Sequence, residues 1–252
     1  MVDVIKWFAS ADELAEGIAD QLTHTTVGAL ATRGIAHIVL TGGRMGTTCL
    51  EAVREHPLTR DIPWDGVHFW WSDERFVPSE DSERNDVAAV RALLSSLDLP
   101  AENVHRMPSS DSGLSLEEAA FHYWAELNQV LGDDLVFDIC LLGVGEDGHV
   151  ASLFPGRAEI ELDDPGVIAI THSPKPPPER LTFTRELIGC ARQVWLLASG
   201  SSKSDAVWLI AADEPVPAAR VHGSVRTLLL LDQDAAAGLP PAEADDWSEE
   251  EA

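Results

Sequence analysis

The residues best suited to chemistry lie in the run Leu141-Leu142-Gly143-Val144-Gly145-Glu146-Asp147-Gly148-His149-Val150-Ala151-Ser152-Leu153-Phe154-Pro155-Gly156, where glycines and a histidine crowd the end of an apolar segment. Gly143, Gly145 and Gly148 clear side chains from around His149, which suits a substrate approaching the backbone beside an imidazole that titrates near neutral pH. A metal site is the rival chemistry, but no H-E-x-x-H, no cysteine pair and no second nearby histidine completes a ligand set.

Four further segments carry charge or phosphate-binding character. Thr41-Gly42-Gly43-Arg44-Met45-Gly46-Thr47-Thr48 follows an apolar segment and enters a helix, so free backbone N–H groups and the positive end of a helix dipole meet there as an anion cradle. It matches neither the dinucleotide fingerprint G-x-G-x-x-G nor a Walker loop. Ser72-Asp73-Glu74-Arg75 puts two carboxylates and a guanidinium at another segment end, where a helix cap with a salt bridge accounts for the triplet as well as a binding role does. Arg180-Leu181-Thr182-Phe183-Thr184 and Gly200-Ser201-Ser202-Lys203 add cations, and Lys203 is one of only three lysines.

Those cations stand out against the whole. The chain has 252 residues and a net charge of −26 at pH 7. Such a surface repels phosphodiester backbones and anionic lipid, so nucleic-acid and membrane-surface roles are excluded, and Arg44, Arg75, Arg180 and Lys203 read as a local anion site. No apolar run reaches the roughly 18 to 20 residues of a membrane span, and the first residues lack a signal-peptide layout, which points to the cytoplasm. Cys49, Cys140 and Cys190 are too few and too far apart for a disulfide scaffold.

Elements must deliver these residues to one place. Continuous β-branched apolar runs predict strands over 35–41, 67–72, 137–143, 167–171, 193–199 and 227–232; helical periodicity is clearest over 11–32, 116–131 and 202–211. Continuous strands suit a parallel sheet covered on both faces: a single-domain, doubly wound α/β fold whose ligands bind at the carboxyl ends of the strands. The domain is expected over 1–232. Residues 233–252, acidic and poor in large apolar side chains, are expected to be a disordered tail.

The glycine and histidine block resembles the 6-phosphogluconolactonases, relatives of the glucosamine-6-phosphate deaminases. The first Gly turn, Asp73-Glu74-Arg75, the block ending Leu153-Phe154-Pro155-Gly156, Arg180-Leu181-Thr182-Phe183-Thr184 and Lys203 follow in family order over about residues 5 to 232. The resemblance implies hydrolysis of 6-phospho-D-glucono-1,5-lactone to 6-phosphogluconate without metal or organic cofactor; a monomer or weak dimer is expected. His149 matches the general base, Arg75 would stabilise the oxyanion or orient substrate, and Asp73 or Asp147 would fix the imidazole tautomer. Gly42, Gly43, Arg44, Arg180 and Lys203 would hold the phosphate. The cradle departs from the S-G-G-S-T-P of many relatives, with a guanidinium at position 44 in place of a hydroxyl. Deaminases carry a Glu at the position of Phe154, which cannot move protons, so the resemblance favours the lactonase. A sugar-phosphate sensor is the reading from another class, and the retained His149 argues against it.

Overall fold

The computed structural model describes residues 2–239. Strand β1 (Val4–Phe8) leads into helix α1 (Ala11–Arg33), which starts where Ser10 Oγ accepts the N–H of Glu13 and stops where Gly34 turns left-handed at φ 72°. Then come β2 (Ala36–Leu40), α2 (Gly43–Glu55), β3 (Val67–Trp71), the short β4 (Asp73–Arg75), α3 (Asn85–Ala92), α4 (Leu116–Leu131) and β5 (Phe137–Gly143). The second half holds β6 (Val167–Ile170), β7 (Arg180–Phe183), α5 (Arg185–Gly189), β8 (Ala191–Ala198), α6 (Ser204–Ala211), α7 (Pro217–Arg220) and β9 (Arg226–Asp232).

Six strands form one sheet in the order β1-β9-β8-β5-β2-β3, every neighbouring pair parallel. Its strands are apolar throughout because both faces are covered. Ile38, Leu40, Phe69, Trp71, Ile139 and Leu141 pack under α1, α2 and α3; Val39, Trp70, Cys140 and Leu142 pack on the opposite layer with α4, α5 and α6. Tyr123 of α4 ties that layer to the sheet, accepting the N–H of Trp71 and donating to the carbonyl of His105. At the β3 edge His68 and His105 share a 2.9 Å ring contact, Trp70 stacks on His105, and Trp70 Nε1 donates to His37 Nδ1 at 3.2 Å.

Two expectations change. The apolar run at 167–170 is not in the parallel sheet: β6 pairs antiparallel with β7, which pairs antiparallel with β4 in a separate three-stranded sheet. An apolar run reports burial on both faces, and Val167, Leu181 and Phe183 obtain it against α4. The domain also continues past 232. Ala235 and Ala236 are buried, Ala235 N donates to Asp232 Oδ1, and Leu239 packs against the core. The expected disorder from 240 onward lies outside the described residues. Cys49 and Cys140 are buried, and burial pushes the Cys49 thiol up to about 12, so it is a core residue and not a nucleophile. Among the described residues no helix is long and apolar enough to cross a membrane.

Candidate active site

The carboxyl ends of β2, β3, β5 and β8 converge at one rim. From β2 the chain passes through Thr41 and Gly42 into α2. No side chain caps that helix and its first turn holds no carboxylate, so its N–H groups are left for an anion. Gly43 sits at φ 78° with open space around it. Thr47 and Thr48 do not contribute donors: their hydroxyls bond back to the carbonyls of Gly43 and Arg44.

Gly42 is small for a definite reason, since a Cβ there would collide with the Asn85 side chain. Asn85 in turn donates to the Asp73 carbonyl at 3.0 Å. Thr41 Oγ1 accepts the N–H of Gly143 at 3.1 Å, which stitches the cradle to the turn that carries the histidine.

In that turn Asp147 Oδ1 and His149 Nδ1 make a very short contact. The His149 side chain is 16% exposed, and its ring lies 4.7 Å from that of Phe154. Burial lowers the imidazole pKa; Asp147 and Asp73 oppose this and Lys175 adds to it. Burial alone would raise Asp147, but the bond to His149 and the charges of His149 and Lys175 outweigh it and hold its carboxyl below the usual range. With Nδ1 directed at the carboxylate, Nε2 is the basic nitrogen, and it makes no hydrogen bond among the described residues. Gly145 makes room for the imidazole, since a Cβ there would strike the His149 ring, whereas one on Gly148, at φ 78°, would press on Val216.

Asp73, Glu74 and Arg75 divide between the two readings of their triplet. Glu74 is the cap, accepting the N–H groups of Arg75, Asn85 and Asp86 at 2.8, 2.8 and 2.9 Å, and burial pushes its carboxyl up. Asp73 faces the site. Its Oδ2 accepts from Ser152 Oγ at 2.7 Å and lies 3.9 Å from Arg180 Nη1. Arg75 does not bond to His149 or Asp147; Nη1 donates to the Glu83 carbonyl, while Nε is buried without a partner.

The expected phosphate cations behave differently from one another. Lys203, on the turn after β8, makes no hydrogen bond through its ammonium among the described residues. Burial lowers its pKa, while Glu146 and Asp147 raise it and Lys175 and Arg44 lower it, so these charges share one neighbourhood. Asp232 fixes that turn by accepting from Ser199 Oγ at 2.6 Å and Gly200 N at 3.0 Å. Arg180, only 5% exposed, is turned inward instead: Nε donates to the Pro177 carbonyl, Nη2 to those of Lys175 and Pro176, and Nη1 to Ser152 Oγ. Four of its five N–H groups are thus engaged with protein oxygens. Lys175 stands in the site unforeseen, Nζ 3.6 Å from Asp147 Oδ1 and 3.4 Å from His149 Nδ1. Its only sequence signal was a lysine in a proline-rich stretch.

A parallel sheet whose strand ends gather an anion cradle and a carboxylate-bound imidazole defines a class, the α/β proteins that bind their ligand at the carboxyl rim. Within that class the chain belongs to the family described as glucosamine-6-phosphate isomerases/6-phosphogluconolactonase, which matches residues 9–229. A 6-phosphogluconolactonase of Streptomyces coelicolor is 44% identical over 237 residues, covering 90% of this chain and 91% of the relative. One from Mycobacterium tuberculosis is 43% identical over 248 residues, covering 95% of this chain and all of the relative. Among solved structures, the 6-phosphogluconolactonase of Thermotoga maritima superposes with a TM-score of 0.81 at 28% identity, covering 91% of this chain and 99% of its own. A monomeric glucosamine-6-phosphate deaminase, 20% identical at a TM-score of 0.76, shares the fold.

Proposed function

We propose that the protein is a 6-phosphogluconolactonase, hydrolysing 6-phospho-D-glucono-1,5-lactone to 6-phosphogluconate. The observation that carries this is the Asp147–His149 pair, with Nε2 left basic beside an uncapped helix start flanked by Arg44 and Lys203. The relatives named for this activity support it at 43 to 44% identity.

In the proposed reaction a water oxygen bonds to the lactone carbonyl carbon while one of its protons passes to His149 Nε2. The tetrahedral intermediate then collapses, the bond from that carbon to the ring oxygen breaks, and the imidazolium returns the proton to the ring oxygen. Asp147 holds Nδ1–H and so keeps Nε2 as the nitrogen that exchanges protons. Gly42, Gly43, Arg44 and Lys203 take the phosphate. Arg75, half-buried at the end of β4, is assigned to orienting the substrate. Arg180 is assigned to the scaffold. Phe154, 2% exposed against the imidazole, supplies a wall and no proton, which favours lactone hydrolysis over amino-sugar isomerisation.

The test is lactone decay after in situ oxidation of glucose 6-phosphate, with and without the protein. We expect acceleration, and a fall in kcat of about two orders of magnitude or more in His149→Ala. Decay no faster than in buffer would refute the activity, and an unchanged rate in the variant would refute the base.

A further inference from the structure

We propose that Lys175 is a positioning residue for His149: its ammonium binds Asp147 alongside the imidazole, so that the carboxylate is shared between the two and His149 stays neutral and basic at Nε2. The kinetic half of this inference rests on the lactonase reading; the geometry does not.

Lys175 Nζ lies 3.6 Å from Asp147 Oδ1 and 3.4 Å from His149 Nδ1. An ammonium only donates, and Nδ1 already directs its proton at Asp147, so the favourable partner of Lys175 is the carboxylate. A carboxylate that serves two donors pulls less on either. The ammonium also opposes, by direct repulsion, any second proton on the ring beside it. Charged groups reach His149 from three elements: Asp147 on its own turn, Asp73 on β4, and Lys175 on the loop before β7, while Phe154 presents an uncharged ring. The two carboxylates favour imidazolium. Among the described residues Lys175 is the cation whose charge opposes them at the ring.

The reach of Lys175 is built into its loop. Its backbone N–H donates to Ser173 Oγ at 3.3 Å, and its carbonyl accepts from Arg180 Nη2 at 3.1 Å. Arg180 also holds the next two carbonyls, and the N–H of Ser173 closes the loop on the Pro178 carbonyl at 2.9 Å. Pro176, Pro177 and Pro178 further reduce the freedom lost on ordering it. Arg180, buried and holding three carbonyls of this loop, therefore acts on the site through Lys175.

The experiment compares wild type, Lys175→Met and Lys175→Arg by the pH profile of kcat/KM and by imidazole nitrogen NMR titration of His149. The Lys175 side chain is 45% exposed, so neither change opens the core, and a urea midpoint checks this. In Lys175→Met we expect His149 to titrate at higher pH and the acidic limb of kcat/KM to move with it. At the acid end the variant loses about three- to tenfold more rate than on the plateau, and Lys175→Arg restores the limb. A higher KM with both titrations unmoved would overturn the proposal and make Lys175 a substrate contact. If the wild type proves inactive on lactone, the functional reading falls, and the NMR titration alone still decides Lys175: a shift upholds its effect on His149, no shift removes it.

Discussion

Arg180 points every guanidinium nitrogen at a protein oxygen, while the ammonium of Lys203 has none within hydrogen-bond reach among the described residues. In the sequence both are cations beside a segment end, and side-chain type carries no information on which way a group turns. That is why the histidine and the glycine cradle could be singled out as candidates, while the choice between Asp73 and Asp147 and the division of labour among the cations could not. The structure separates them by a measurable contrast. Lys203→Met is expected to raise KM by about 10- to 100-fold, the value of a charged hydrogen bond, with kcat little changed and inorganic phosphate losing its inhibition. Arg180→Met is expected to cost about 3 to 5 kcal/mol in urea unfolding, because a buried, paired cation and three loop carbonyls lose their partner together. An Arg180→Met variant of native stability with a raised KM would return that residue to the phosphate.

At the scale of elements, the long pieces were readable and the shortest were read only in part. The helix expected over 116–131 is α4 to the residue, helped by a capping box between Ser115 and Glu118, and the strand expected over 137–143 is β5. Strand β4 has three residues, too few to show a period, yet it delivers Asp73. The β2–β3 edge carries a pH dependence of its own. Burial, followed by the charges of His68, His105 and Arg33, holds His37 down at about 3, and burial with His105 holds His68 at about 4. Both lie below the unfolded value of about 6.5, so the unfolded chain binds more protons as pH falls from there toward 4. Stability is thus present above about pH 6.5 and is lost on acidification, by at most about 1.4 kcal/mol per pH unit for each histidine and less for the half-buried His68. Urea midpoints at pH 7.5 and pH 5 should show the fall, and His37→Asn should reduce it. Equal falls in both proteins would refute the assignment to His37.

For the molecule as a whole, the boundary at 232 fails for a compositional reason. Alanines carry little weight in a sequence pattern, yet Ala235 and Ala236 fill space under the sheet and are 0% and 4% exposed. We expect truncation after Asp232 to cost about 1 to 3 kcal/mol of stability through the buried area removed, and truncation after Leu239 to leave thermal stability and lactone turnover within error. Loss of turnover on truncation after Leu239 would place a functional role in residues 240–252. The charge balance also sharpens: in a chain of net charge −26, two of the three lysines and Arg44 gather at one rim, so the approach of an anion is favoured there and opposed elsewhere.

The bond from Gly143 N to Thr41 Oγ1, with Asn85 wedged between Gly42 and Asp73, joins the cradle to the imidazole turn through the stiff end of the sheet. On the lactonase reading this makes the site a ruler. Phosphate and carbonyl must sit on two marks whose spacing the backbone sets, so a lactone with its phosphate on a nearer carbon, or with one carbon fewer, fills one mark and misses the other. Selectivity among phosphorylated lactones then follows from molecular length, with no need for a separate contact to each hydroxyl.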